Sequence, residues 1–575
     1  MRENQHPPSD QSKADNGVDL LLAFLLLAAA LGVRWLYFES VLFPPSDEPA
    51  FFLTTAENVL TGRGLEVDVL WNYEPSFPTV THPSHERWMP LTTGLIAVAF
   101  AIQRAVSGTL EASLQVGLLP GLLLGAMLAP LTYLVGRRVL PGGDERRLRS
   151  ERVSRWVALG AGLLVSVNAH LAFQSASAGS SAIFALLAVW ALSMAVRKPG
   201  DQGGYFAAGL LIALAYLTSP NALLLLVTIP LAWFLLPLPP RLRPEFPDNP
   251  AAEVAWEHWP KEQGTKEEPR QRSGPRLLNV LDLGVAFVLV VALWLVRNYL
   301  AFGTPLPSSV LQHAWLSERL DIFNYWFPPT WQTWLAQDWQ SLLHLRGQAL
   351  VHNGLLLLGR TFAWGLLALP GLWLLRREWT FFPALVYGLT LFFGLALVFP
   401  VSSMAGTFER SLGAVMPFLA LAAMYAVQQA LKPFKQHRKL CLTLSVAIVI
   451  ALLAVAGILM NRDLAEVAGR QEARQAQFER VANWLTRNAN PGDVVMTPQT
   501  YSLNYASGHP TIALPGNEPP DAAWDAAQRY RARYLVITEP YGLYPQILQN
   551  QADPRFRLVA ELGMTQIYEI GEGQP

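Results

Sequence analysis

The sequence predicts a mainly α, polytopic membrane protein of about eleven transmembrane helices, with a small C-terminal extracytoplasmic α/β domain. Three observations predict it. Of 575 residues, 52% are hydrophobic and 15% charged, the charges bunched between long apolar runs. Mean hydropathy is +0.25. The arginines cluster in alternate loops, and the last 115 residues lose the apolar runs altogether.

Taken in order, residues 1–17 are polar and Pro-containing and read as a disordered cytoplasmic tail. The apolar run behind them ends in "RWLYFES" without a small-residue cleavage site, so it is a retained span. At about 20 apolar residues per crossing, the spans fall at 18–38, 113–136, 156–173, 179–196, 204–219, 220–238, 279–301, 352–375, 380–400, 411–431 and 440–460. Segment 90–106 is apolar but short and carries Gln103 and Arg104. Laid along the membrane surface, it leaves the loop with seven arginines between Arg137 and Arg155 inside. The same choice puts Arg197-Lys198, the 239–278 segment, Arg376-Arg377 and 432–439 inside as well. The N-terminus is then cytoplasmic and the C-terminus extracytoplasmic. A membrane domain at 18–460 carries a large first outer loop at 39–112, and residues 461–575 form the soluble domain. Within it, "DVVMT", "RARYLVITEP" and "RFRLVAEL" read as strands.

Composition excludes some classes. Lys+Arg and Asp+Glu balance at 43 each, which gives no argument for nucleic acid, and the single cysteine, Cys441, permits no intramolecular disulfide. His82, His85 and Glu86 crowd "THPSHERW", but their spacing matches no zinc pattern.

Two kinds of charged group stand at outer span ends. Asp47 and Glu48 follow Pro44-Pro45-Ser46 and open a helical stretch with a polar line at Thr54, Asn58 and Thr61. Asp47 reads as a helix cap or as a general base whose acidic neighbour raises its pKa. Arg297, with Asn298, ends one span, and Glu409-Arg410 opens another. Such arginines either snorkel to headgroups or bind a phosphate. Arg34, Glu39, Arg297 and Arg410 all sit at span ends, which favours interfacial chemistry over passage through the bilayer. A flippase or transporter of lipid-linked sugars and a non-catalytic scaffold remain the alternatives.

The acid pair, "ENVLTGRGL", "WLVRNYLAFGTPLP", "FERSLGAVMPF" and "VANWLTRNANPGDVVMT" together resemble the GT-C superfamily of membrane glycosyltransferases. Its members include the protein O-mannosyltransferases (glycosyltransferase family 39), the lipid A aminoarabinose transferases and the oligosaccharyltransferases. The resemblance implies a hexosyl or pentosyl transferase. It would use a polyprenyl-phosphate sugar donor and a glycan, lipid or protein acceptor. Asp47 would be the catalytic acid, with Glu48 beside it. Arg297, Asn298, Glu409, Arg410 and His82 are candidates for holding donor phosphate or substrate. Several relatives carry a further acid in the second outer loop, where this sequence has only Ser, Ala and Gly in "SASAGSSA". No cofactor is implied, and a divalent cation stays open as the alternative.

Overall fold

A computed structural model describes residues 10–73, 77–109, 112–140, 147–195, 203–235, 274–306, 312–361, 364–378, 380–433, 438–539, 541, 548 and 553–571. Residues 1–9, the basic pair Arg197-Lys198 and most of the 239–278 segment lie outside these. The first helix, Asp10–Ser40, already begins within the segment read as a polar tail.

Five described helices are long and apolar enough to cross a membrane, and eight if each of three sharply bent pairs is one span; three shorter apolar helices accompany them. Pro90–Ser107, laid on the surface in the sequence reading, is one of the five by length and composition. It packs between Asp47–Leu60 and Leu114–Ala126. One bent pair, Phe382–Val398 and Pro400–Ala414, turns by 116°. Pro400, which cannot donate to the turn before it, and Gly406 at φ 104° account for that break.

Small residues set the spacing of the membrane helices. A Cβ on Gly371 would overlap the carbonyl of Ala422, and one on Gly209 would overlap that of Leu283. These contacts draw Trp364–Leu375 onto Met416–Ala430 and Gly203–Tyr216 onto Gly274–Phe302. Lipid is as apolar as leucine, so close backbone approach is what such pairs gain by associating.

The last apolar run does not stop at the membrane. Arg438–Asn488 is one helix of 51 residues without a proline, about 77 Å long at 1.5 Å per residue. The bilayer core is about 30 Å thick, so the polar half beyond Asn461 carries the C-terminal domain away from the membrane helices. Tyr37, fully buried at the end of the first helix, donates to Asp463 Oδ2 at 2.9 Å and fastens the two helices together.

The C-terminal sheet has six strands in the order β2-β5-β4-β6-β8-β7. Strands β4 (Val494–Thr497), β5 (Thr511–Ala513), β6 (Ala532–Ile537), β7 (Phe556–Leu562) and β8 (Thr565–Ile570) come from the tail. The edge strand β2 (Val69–Leu70) comes from the first loop and pairs parallel with β5, Val69 opposite Thr511. A second small sheet joins β1 (Glu66–Val67) to β3 (His82–Pro83). The Trp-rich segment also docks here, because Glu518 accepts from the backbone N–H groups of Tyr325, Trp326 and Phe327 at 2.6–2.9 Å. The first loop, that segment and the tail therefore fold as one cap on the membrane helices.

Candidate active site

The acid pair opens the helix Asp47–Leu60, with Ser46 rather than Asp47 in the capping position at φ −160°. Both acids stand in the first turn, where the helix dipole favours negative charge. Phe51, Phe52 and Leu53 are almost wholly buried and anchor the helix, each worth about 1.5–3 kcal/mol of burial. The expected polar line is used internally: Asn58 Nδ2 donates to the carbonyl of Glu66 at 2.8 Å.

Successive helical residues point about 100° apart, and the two acids accordingly serve different partners. Asp47 Oδ1 accepts from Ser502 N at 3.0 Å and Ser502 Oγ at 2.7 Å, both on the tail helix Thr500–Ser507. Arg474, on the long helix, donates to Ser502 Oγ at 2.8 Å and to the carbonyl of Pro44 at 3.0 Å. Burial raises the Asp47 carboxyl above the usual range, against the Ser502 hydrogen bonds and the Arg474 charge that lower it.

Glu48 turns toward the membrane helices and is 7% exposed. Its Oε1 accepts from Ser180 Oγ at 2.6 Å and Ser180 N at 3.2 Å, and its Oε2 lies 3.5 Å from Arg410 Nε. The "SASAGSSA" segment, which lacks an acid, thus supplies donors to an acid of the first loop. It is held from behind by Arg34, fully buried, whose Nε donates to Ser175 Oγ at 3.1 Å. Gly121 makes room for that segment, since a Cβ there would lie 2.7 Å from the Ser175 carbonyl. Ala178, between them, holds a left-handed φ of 55°, a strained backbone of the kind that collects at functional sites.

Arg87 joins the same cluster. Its guanidinium stacks 3.6 Å above the Trp71 ring and 5.4 Å from that of Trp88, geometry that suits a planar cation. Burial, followed by the charge of Arg410, pushes its pKa down to about 9, offset by Glu48, Glu86 and Asp47. It is still a cation at neutral pH. His313 donates to or accepts from Ser402 Oγ at 2.6 Å, and burial, Arg87 and Arg410 hold its pKa well below the usual histidine range.

The remaining candidates are placed around this core. Arg297 lies 4.9 Å from the Trp294 ring and 5.1 Å from that of Phe302, and donates to Asn298 Oδ1 at 3.3 Å. Buried Asn298 donates in turn to the carbonyl of Pro305. The same helix end meets the first loop through Trp294, whose ring stands 5.7 Å from that of His85. Glu409 is a brace: Arg360 donates to it at 2.5 Å, and its carbonyl accepts from His170 and Gln174. His82 stacks on Phe77 at 3.9 Å, its Nε2 3.9 Å from Glu86 Oε2. His85 is buried between Ser84 Oγ at 2.7 Å and Thr93 Oγ1 at 3.0 Å. Burial and the Arg297 charge push its pKa down to about 3. Among the described residues, no three His, Cys, Asp or Glu side chains come together in a group that could hold a metal ion.

No family model matches the chain, and no curated protein matches it. Solved structures do. ArnT from Cupriavidus metallidurans bound to undecaprenyl phosphate is similar with a TM-score of 0.52 and 13% identity, over 95% of this chain and 97% of that one. The same protein in the apo state gives 0.50 and 14%, over the same shares. The apo oligosaccharyltransferase from Archaeoglobus fulgidus gives 0.50 and 13%, over 90% of this chain and 69% of that one. All are GT-C superfamily glycosyltransferases.

The chain has the GT-C fold.

It is a multi-pass membrane protein. On its GT-C scaffold the sequence candidates divide into three groups. Glu48 and Arg410 meet directly, with Asp47 one residue away at the joint with the tail; Glu409 is taken up by Arg360 and His170; and Arg297, which is bonded to Asn298, and His82 both act on Glu86. Arg87, Ser180, His313 and Ser502 are the residues the sequence reading missed. Arg87 carried a readable signal, an arginine directly between an acid, Glu86, and an aromatic, Trp88. Ser180, Ser502 and His313 carried none, because ordinary polar residues acquire meaning only from partners 89 to 455 positions away.

Proposed function

We propose that this protein transfers a sugar from a polyprenyl-phosphate donor to a hydroxyl-bearing acceptor at the extracytoplasmic face. The observation that carries the reading is the juxtaposition, on a GT-C fold, of a first-turn acid pair with Arg410 and Arg87. Asp47 is the general base. It takes the proton of the acceptor hydroxyl as that oxygen attacks the anomeric carbon. The bond from that carbon to the phosphate oxygen breaks, and its electron pair leaves with the polyprenyl phosphate.

Charge therefore grows on the leaving phosphate, where fixed cations stabilise the transition state more than the ground state. Arg87, Arg297 and Arg410 are those cations. Glu48 aims Arg410 and keeps the cluster from self-repulsion, while Asn298, Glu409 and His82 position the arginines and the first loop. The raised pKa of Asp47 suits this role, since a base is most effective near the working pH. Arginine placement along the sequence supports a cytoplasmic N-terminus and an extracytoplasmic sheet. ArnT carries undecaprenyl phosphate in its solved complex, which supports the donor class.

The test is in vitro transfer by purified protein from a panel of labelled polyprenyl-phosphate sugars, with Asp47→Asn as the diagnostic variant. Loss of a general base costs about 10²- to 10⁴-fold. Absence of turnover with every donor, or full activity of Asp47→Asn, would sink the reading.

A further inference from the structure

Tyr501 comes from the last sixth of the chain, yet its side chain lies among first-loop residues. It is 0% exposed, its ring edge-on to Phe51 at 5.1 Å and to Trp88 at 5.4 Å. Its hydroxyl has no hydrogen-bond partner among the described residues, and neither has Nη1 of Arg87. Both side chains share Trp88 as a neighbour, and Glu86, Asp47 and Arg87 all act electrostatically on the phenol.

A buried phenol without an acceptor costs free energy that phenylalanine in the same space would not, and native structures leave few such groups unused. Here a neutral donor and a cationic donor, both unsatisfied, flank one indole. That pairing fits an oxyanion, which accepts from both. No carboxylate of the protein fills that place, since Glu86 and Asp47 act on the phenol only through space and neither accepts its hydrogen bond.

We infer that Tyr501 donates a hydrogen bond to a phosphate oxygen of the donor lipid beside Arg87, so that the C-terminal domain completes the donor site. The inference rests on the transfer reading above. Ser502, bonded to Asp47, sets the depth at which Tyr501 enters, so docking of the tail and binding of the donor are coupled.

The experiment measures binding of undecaprenyl phosphate, without sugar, to the full-length protein in detergent micelles, beside its melting temperature. Undecaprenol, which lacks the phosphate, is the control ligand, and inorganic phosphate the competitor. Tyr501→Phe is expected to bind undecaprenyl phosphate roughly tenfold more weakly, the effect of one hydrogen bond to a charged group. Its affinity for undecaprenol should stay at the wild-type value, and its melting temperature without ligand should be no lower than wild type, since the unsatisfied hydroxyl is gone. Competition by inorganic phosphate in the wild type alone would place the phenol on the phosphate itself. Equal affinity of Tyr501→Phe and wild type would overturn the inference and leave the donor reading standing. Failure of the wild type to prefer undecaprenyl phosphate over undecaprenol would overturn both.

Discussion

Removing one hydroxyl, in Ser502→Ala, tests whether the tail helix tunes Asp47, the proposed base. Ser502 Oγ donates to Asp47 Oδ1 at 2.7 Å while accepting from Arg474 at 2.8 Å, and its backbone N–H supplies a second bond to the same carboxylate oxygen. Alanine keeps the backbone bond and loses the hydroxyl. A hydrogen bond to a charged group is worth about 1.5–3 kcal/mol, and it favours the ionised carboxylate over the acid. Its loss lets burial, the largest influence on Asp47, act with less opposition. The carboxyl pKa therefore moves further up, and at any pH below it less of the base is ionised. With 1.4 kcal/mol equal to a factor of ten, transfer on the acid side of the profile should fall roughly ten- to hundredfold. It should recover as the pH is raised. The assay is the pH dependence of kcat/KM for wild type and Ser502→Ala with one active donor. An acid limb at the same pH in both proteins would refute the proposed link between the tail and Asp47.

Other perturbations probe separate parts of the molecule. Glu48→Gln keeps an acceptor for Ser180 but removes the charge facing Arg410; donor KM should rise several-fold with little change in melting temperature, and steady-state kinetics reports it. Gly371→Leu drives a side chain into the Ala422 carbonyl, an overpacking cost of about 1–3 kcal/mol or more, visible as a lower melting temperature in micelles. His85 must gain a proton on unfolding below its ordinary value of 6.5 but stays neutral in the fold down to about 3. The unfolded state binds more protons in that window, so stability should fall as pH drops from 6.5 toward 3. His85→Gln, measured by thermal melts across that range, should flatten the slope.

Much of this architecture was legible in the sequence, for reasons that also explain what was not. Apolar runs and arginine clusters carry their own meaning, because the bilayer acts on each segment separately. The tail strands β4, β6 and β7 were readable from local β-branched and aromatic runs, whereas β2 is two residues of a loop and becomes a strand only against Thr511 and Ile512. The polarity change near residue 461 suggested a domain boundary, yet the absence of proline from 438 to 488 already allowed the helix to run through it. At the site, Asp47 and Glu48 were visible as an acid pair, but adjacency in sequence gave no hint that their carboxylates face different partners.

That division of labour bears on why the acids stand at a helix start at all. A first helical turn holds two neighbouring carboxylates on a dipole that favours both charges, while the helical rotation sends them to separate surfaces. One surface is the Ser180 segment and Arg410; the other is Ser502 and Arg474. Phe51, on the same helix, packs against Tyr501, while Leu503 of the tail helix enters the domain core with Phe478 and Val495. A displacement of the tail would therefore disturb Asp47, the Tyr501 phenol and the first-loop core together. The sheet reinforces the same joint through β2, so the first loop cannot leave the tail without breaking a strand pair. Standing in the first turn behind the Ser46 cap and presenting a base are compatible tasks for Asp47 under the proposed mechanism, because the dipole that favours its charge there leaves its carboxylate free to turn toward Ser502.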